Sequence, residues 1–498
     1  MKMPYYEHEN SDRCSYSHVS GQAGIHAAAV LGFSANKRDA MTGQAWKAPL
    51  VLASVCLAGC HTGPTDREII LRAEFHRRTG SITLAPGVTE LHRPLQFDRG
   101  AHDIDLRGDP SGSTLLLAKD FNGRAAILGV SVANVRLEKF QIIGDRTGLV
   151  SNLYLPPSNV RFADYYERNG VVFISSQSIT IRDVSLRNIS TFPVLLSSCR
   201  GVALEGIEVR DSGTLNAQGH SNTTGGILLE EGTMNFSVKH CHIENICGNG
   251  IWTHSNYGSP RNQDGIIANN EIRDTPRDLI QVGHATRVQV LDNRGGRVGF
   301  PAEEADLPGG ATPVALDSSG DTSEATYSGN QFEDVNGQCI DLDGFHDGHV
   351  VNNSCVNRKP PADYPLSHVG IVFGNSNPDM RPRGVVVSGN LIQGFGYGGV
   401  YLIGEHQEVS GNRFIDVNRN HCSGDARIAV CNYAPTEPDM LRSGIYLATH
   451  SPRPVETRGN KIWGNYISGF GMDRWCITAG PAARLDLNTI GDNTCVTH

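Results

Sequence analysis

The residues from Gln338 to Gly348, QCIDLDGFHDG, carry the densest chemistry in the chain. Apolar and acidic residues alternate there and then break at glycine. In a β-strand successive side chains face opposite sides. Ile340 and Leu342 would then face a core, with Asp341 and Asp343 on the other side. Two carboxylates on one strand face repel each other, and folding alone does not ask for that. Such crowding raises one carboxyl's pKa, leaving a protonated acid beside an ionised base. His346 and Asp347 follow in the turn.

The elements that position these groups repeat along the chain. From about residue 125 onward each unit has an apolar-x-apolar strand, a turn, and a second strand often followed by asparagine. The first strands align on Ile227, Ile251, Ile280, Val314, Ile340, Ile371, Val400 and Ile445, at steps of 24 to 45 residues. The shortest step suits one coil of a solenoid, and the longer ones a coil plus a loop. Segments 211–225, 295–312 and 417–443 read as insertions before core strands, and 255–264 and 375–383 as insertions after them. Loops on both sides would wall a groove. Asparagines 270, 293, 330, 353, 390, 412 and 460 fall near one turn and read as an internal amide ladder.

Stacked strands lie about 4.8 Å apart. On that grid the first outward column is Leu228, Trp252, Gln281, Ala315, Asp341, Val372, Tyr401 and Tyr446. The second is Glu230, His254, Gly283, Asp317, Asp343, Gly374, Ile403 and Ala448, with His284 one place beyond Gly283. Asp317 and Asp343 are therefore expected side by side, with Asp341 diagonal to Asp317. Asp317, Asp341 and Asp343 are the candidate acid/base groups. Glu230, His254 and His284 are candidates for positioning or proton transfer, because a carboxylate one rung from a histidine fixes its tautomer and raises its pKa. Glycoside hydrolysis uses two carboxyls roughly 5–5.5 Å apart for retention or 6.5–9.5 Å for inversion. Trp252, Gln281, Tyr401 and Tyr446 are candidate sugar contacts, the aromatics by stacking; hydrophobic cover under a loop is the alternative. Asp341 and Asp343 could instead cap turns or bind Ca²⁺, which prefers oxygen ligands. No CxxC or His-Cys cluster indicates zinc, and no other metal follows from the pattern.

These strands and asparagines resemble the right-handed parallel β-helix of the pectate-lyase-like superfamily over most of residues 80–498. The resemblance implies an all-β solenoid, but the superfamily includes lyases, hydrolases, epimerases, phage spikes and adhesins. Gly344-Phe345-His346-Asp347-Gly348 is loosely similar to the DPHD motif of mannuronan C5-epimerases, with phenylalanine where proline stands, and implies His346 as a proton-transfer residue. The polygalacturonase set NTD, DD, GHG and RIK is not present in that order. Pectate lyases pair Ca²⁺ with a basic residue on the groove; Arg277, Arg287 and Arg358 lie near the strands but off the outward grid. Hydrolysis of a polysaccharide is thus the leading expectation. A lyase or uronate C5-epimerase is the enzymatic alternative, and a glycan-binding solenoid the non-catalytic one.

Residues 41–60, MTGQAWKAPLVLASVCLAGC, combine one lysine, a short apolar run and Leu57-Ala58-Gly59-Cys60. The run is too short to span a membrane and resembles a bacterial lipoprotein signal. That resemblance implies cleavage before Cys60, lipid on its sulfur and an outer-membrane anchor; a buried strand is the alternative. Residues 1–40 then read as a mis-assigned extension, 61–80 as a capping helix (centred on 66–79), and 81–498 as one β-helix. A monomer is expected. Nine cysteines follow Cys60. Cys422–Cys431 and Cys476–Cys495 are local pairing candidates, and most of the nine are expected as buried thiols. With 56 glycines among 498 residues the chain reads as turn-rich β. Its net charge of -9 argues against a nucleic-acid partner.

Overall fold

The computed structural model describes residues 64–146, 155–221, 224–305, 312–376, 380–425, 427–432, 437 and 439–498. The extension 1–40, the signal-like segment 41–60 and Cys60 lie outside the described residues. Among the described residues no helix is long and apolar enough to cross a membrane.

Helix α1, Asp66–Phe75, sits at the start of the described chain. Thr65 caps it by accepting from Glu68 N, and acidic Asp66 and Glu68 occupy its first turn, where the helix dipole favours them. Glu68 also accepts from the backbone N–H of His92 and of Arg93, each at 3.0 Å. Leu71 and Phe75, four apart, bury one face, and the Phe75 ring stacks on Phe97 at 4.6 Å. The helix is shorter than 66–79 because His76 already takes the C-cap position.

Beyond it the chain is nearly all β, wound as a parallel solenoid. One coil illustrates the rest: strand Ile227–Glu230, strand Met234–Lys239, then strand His242–Ile246, before the next coil opens at Ile251. Each strand pairs in parallel with its equivalent one coil away. The third strands form their own 14-stranded sheet, so pairing runs between coils rather than within them. Eight first strands concern the site: β1 Ile227–Glu230, β2 Ile251–His254, β3 Ile280–Leu291, β4 Val314–Ser323, β5 Gln338–Asp343, β6 Ile371–Gly374, β7 Val400–Leu402 and β8 Ile445–Leu447. Their alternate residues, among them Ile227, Leu229, Ile340, Leu342, Ile371 and Phe373, fill the core.

The corner between second and third strands holds the expected amide ladder. Asn270, Asn293, Asn330, Asn353, Asn390, Asn412, Asn465 and Asn493 each offer Oδ1 or N–H groups to the next. Each inner rung is fourfold. Asn353, for example, accepts from Asn330 N and Nδ2 and donates Nδ2 to Tyr327 O and Asn390 Oδ1. Asn460 is a correction: it belongs to a second, shorter row running Gln407, Asn460, Asn488. Both rows satisfy buried corner amides that no strand can reach.

Cys422–Cys431 and Cys476–Cys495 are bonded, and so is Cys339–Cys355. Only Cys199, Cys241 and Cys247 among the described cysteines are buried thiols, so the expectation that most are unpaired is overturned. Cys339 and Cys355 lie 5.9 Å apart at Cα because a first strand and a third strand of one coil meet across the core.

Candidate functional site

The acids sit on the outward face of β4 and β5, but in a different register from the expected one. Leu316, not Val314, pairs with Ile280 and Ile340. Asp317 therefore lies between Gln281 on β3 and Asp341 on β5, in the first column. Asp341, rather than Asp343, is its direct neighbour. The two-residue slip keeps every side chain on its face, because strand period is two.

A hydrogen-bonded chain holds this row from behind. Asn249 Nδ2 donates to Gln281 Oε1 and Gln281 Nε2 donates to Asp317 Oδ2, each at 2.6 Å. Gln281 is thus a buried strut between two coils rather than a surface contact. Asp278, missed in the sequence, accepts from Val314 N at 3.0 Å as β4 begins. Asn249 and Asp278 each stand two residues before the leading isoleucine of a first strand, so extending the aligned repeat upstream would have found them. Asp343 accepts from Ser376 N at 2.9 Å and from the Ser376 hydroxyl.

Burial sets the electrostatics. Asp317 is pushed well above the usual carboxylate range by desolvation, and then by the charges of Asp278, Asp341 and Asp343. Burial raises Asp278 to about 6 despite Arg277 nearby. Asp343 also rises to about 6, by burial, against the lowering effect of Ser376. Burial and mutual repulsion thus favour protonated acids along this row at mildly acidic pH.

A cavity of ≈ 30 Å³ lies over Asp341 and Asp343, bordered by His368, Tyr401, Met440 and His450. Its volume suffices for a water molecule but not for a sugar ring. Two expected sugar platforms are thereby corrected. Tyr401 is 2 % exposed and donates to His450 O, and Tyr446 is 1 % exposed and donates to Glu437 Oε2 at 2.9 Å. Trp252 is a third correction. It is 6 % exposed and meets Phe162 edge-on at 5.1 Å. Loops fold over these rings and use them as hydrophobic cover.

Glu230 is likewise not a free proton carrier. It accepts from Phe162 N and Ala163 N, each at 2.9 Å, and so holds the first turn of a short helix, α2, Phe162–Tyr165. Burial pushes it up to about 7. His254 packs between Phe162, Trp252 and His284, and burial, then the charge of Arg261, pushes it down to about 4. It is a neutral ring at physiological pH. Glu230, Glu231 and His254 are the group of three that could hold a metal ion among the described residues, with ligand atoms within 4.8 Å. A histidine nitrogen suits zinc or another transition metal better than Ca²⁺.

His284 lies within β3 at the register shift between Gly283 and Ala285, and His346 lies just past the end of β5. His284 covers Gly320, where an added Cβ would come within 2.4 Å of its Nε2, so only glycine fits there. His346 stands between two carboxylates, with Nε2 2.9 Å from Asp321 Oδ1 and Nδ1 2.9 Å from Asp347 Oδ2. The Asp321 bond, with that to Asp347, raises its pKa despite partial burial. Arg261 backs Asp321 at 3.4 Å and Arg383 backs Asp347 at 3.1 Å. Asp321 and Arg261 escaped the sequence reading because neither falls in the aligned columns: Asp321 lies where β4 shifts register after Ser319, and Arg261 just before the strand Asn262–Ala268.

Stacked parallel coils, an internal amide ladder and a buried acidic row on one outward face define a parallel β-helix protein. The chain belongs to the right handed beta helix region family, whose model matches residues 157–294 and 314–490. No curated protein matches the chain. Among solved structures it is similar to PfbA, a surface adhesin of Streptococcus pneumoniae (13% identity over 70% of this chain and 86% of that one, TM-score 0.49). It is similar to the catalytic unit of the GH87 alpha-1,3-glucanase of Streptomyces thermodiastaticus strain HF3-3 (14% identity, 86% and 68%, TM-score 0.49). It is also similar to a mutant tailspike protein of E. coli bacteriophage HK620 in complex with pentasaccharide (12% identity, 83% and 73%, TM-score 0.50). At such identities the likeness is one of fold.

Proposed function

We propose that the chain acts on a polysaccharide and cleaves a glycosidic bond by acid/base chemistry on the β4–β5 face. The observation that carries this is the direct opposition of Asp317 and Asp341 on adjacent coils. Asp317, held protonated, gives its proton to the glycosidic oxygen as the bond to C1 breaks. Asp341 acts as its partner: it takes a proton from the attacking water or attacks C1 itself. Gln281 aims Asp317. A chain reaching the acids displaces the side chains of Met440 and His450 that border the cavity. The same fold accommodates a pentasaccharide in the tailspike complex.

Purified protein is assayed for new reducing ends on a polysaccharide panel. Asp317→Asn and Asp341→Asn should each lower turnover by about 10²–10⁴-fold while oligosaccharide binding persists. Unchanged turnover in either variant would remove that residue from the mechanism, and binding without any product would favour a glycan-binding solenoid.

The carboxylate bracket around His346, with Arg261 behind it, favours one second reading. There a proton moves at C5 of a uronate, and the guanidinium stabilises the carboxylate charge. A lyase product carries a double bond that absorbs in the near ultraviolet, and a hydrolase product does not.

We read the protein as exported and lipid-anchored through Cys60. Three disulfides suit an oxidising compartment. Labelled fatty acid should enter the wild type and not Cys60→Ser.

A further inference from the structure

Next to the acidic row lies a second, larger cavity of ≈ 360 Å³, bordered by Asn375, Arg381, Arg383, Glu405 and Arg453 among others. We propose that this cavity is a subsite for a saccharide unit bearing an anionic group, either a carboxylate or a sulfate ester. The inference rests on the polysaccharide reading above and narrows its substrate class.

Three guanidiniums face one carboxylate there. Glu405 is already held by Arg458 at 2.9 Å, and Arg383 by Asp347 at 3.1 Å. Among the described residues neither Arg381 nor Arg453 has an ion-pair partner, in a chain whose net charge is -9. Guanidinium forks match planar carboxylates and sulfate oxygens through paired hydrogen bonds.

Asn375 supplies an independent observation. It is 4 % exposed, and its Nδ2 donates to Arg453 O at 2.8 Å, which fixes the amide's orientation. Its backbone N–H donates to Ser451 Oγ at 3.0 Å, so the residue is locked in place. Its Oδ1 is buried with no hydrogen-bond partner among the described residues. A buried acceptor left unmade costs about 1–3 kcal/mol, and a sugar hydroxyl would satisfy it. Asn375 lines both this cavity and the smaller one over Asp341 and Asp343. One saccharide unit could thus contact the arginines and Asn375 while its neighbour along the chain reaches the acids.

Calorimetric titration of the full chain tests this with three oligosaccharides of equal length: uronate, sulfated and neutral. One or both anionic ligands should bind more tightly than the neutral one, and the comparison tells which anion is preferred. Arg381→Ala with Arg453→Ala should weaken anionic binding by about 10-fold or more and weaken neutral binding by much less. The paired lysine variant, keeping charge without the fork, should fall between. Tighter or equal binding of the neutral ligand, or anionic binding indifferent to the alanine pair, would overturn the subsite while leaving polysaccharide action intact. If none of the three ligands binds and no panel member is cleaved, both readings fall together.

Discussion

Asp343 is a carboxyl that the fold prefers uncharged. Its folded pKa of about 6 lies above the ordinary carboxylate value, so the native state binds its proton more tightly than the unfolded chain does. The resulting stabilisation is full below about pH 4 and is lost as pH rises through about 6. Asparagine at 343 does not titrate and can still accept from Ser376 N–H. The stability of Asp343→Asn relative to wild type should therefore increase from pH 4.5 to pH 8, by about 2 kcal/mol. His254 and His368, which bury neutral and oppose this trend, titrate alike in both proteins and cancel in the difference. Thermal unfolding across that pH range checks it, and a flat difference would mean that Asp343 is charged in the native state. Glu230 makes a contrasting case. Glu230→Gln leaves it one acceptor for two buried N–H groups, so denaturant unfolding should show a loss of about 1–3 kcal/mol. Which side of its strand each acid occupies was legible from alternation alone. The fate of the aromatics was not, because Trp252 is covered by Phe162, ninety residues away in sequence and brought there by a loop.

At the scale of the strand, facing and register proved to be separate questions. Val314 and Leu316 are both apolar and two apart, so either could lead its strand without turning any side chain around. Only pairing with Ile280 and Ile340 chooses Leu316, and that choice moves Asp317 beside Asp341. Coil lengths vary too much for spacing to decide it. The amide ladder was legible for the opposite reason. A buried corner with unpaired backbone groups tolerates few residue types, so asparagine recurs at each turn. Asn460 misled because a parallel row runs close by, five residues before Asn465. Asn353→Ala removes four hydrogen bonds from an inner rung and should destabilise the protein by ~3–5 kcal/mol. Asn353→Asp keeps the acceptor but loses both donors and should recover only part of that. Amide hydrogen exchange should quicken first in the strands flanking residue 353. Equal protection in wild type and Asn353→Ala would show that the ladder follows the fold rather than supporting it.

At the scale of the whole molecule, stability in a stacked repeat is close to a sum over neighbouring coils. Local reinforcement then has local effects. The coil that presents Asp341 and Asp343 is also the one closed by Cys339–Cys355. Replacing that pair by alanines should lower stability by about 3 kcal/mol, given its 16-residue separation. Turnover should fall with it more steeply than on replacing Cys476 and Cys495, which lie at the far end of the stack.

The same bridge encloses the turn at Asp347 and His349, two exposed residues beside the bracketed histidine. A protease nick in that turn would cut the backbone without releasing either piece. Electrophoresis would show one full-length band until a thiol reagent is added and two bands afterwards. A molecule broken there could keep its shape, with sulfur doing the work of the missing peptide bond.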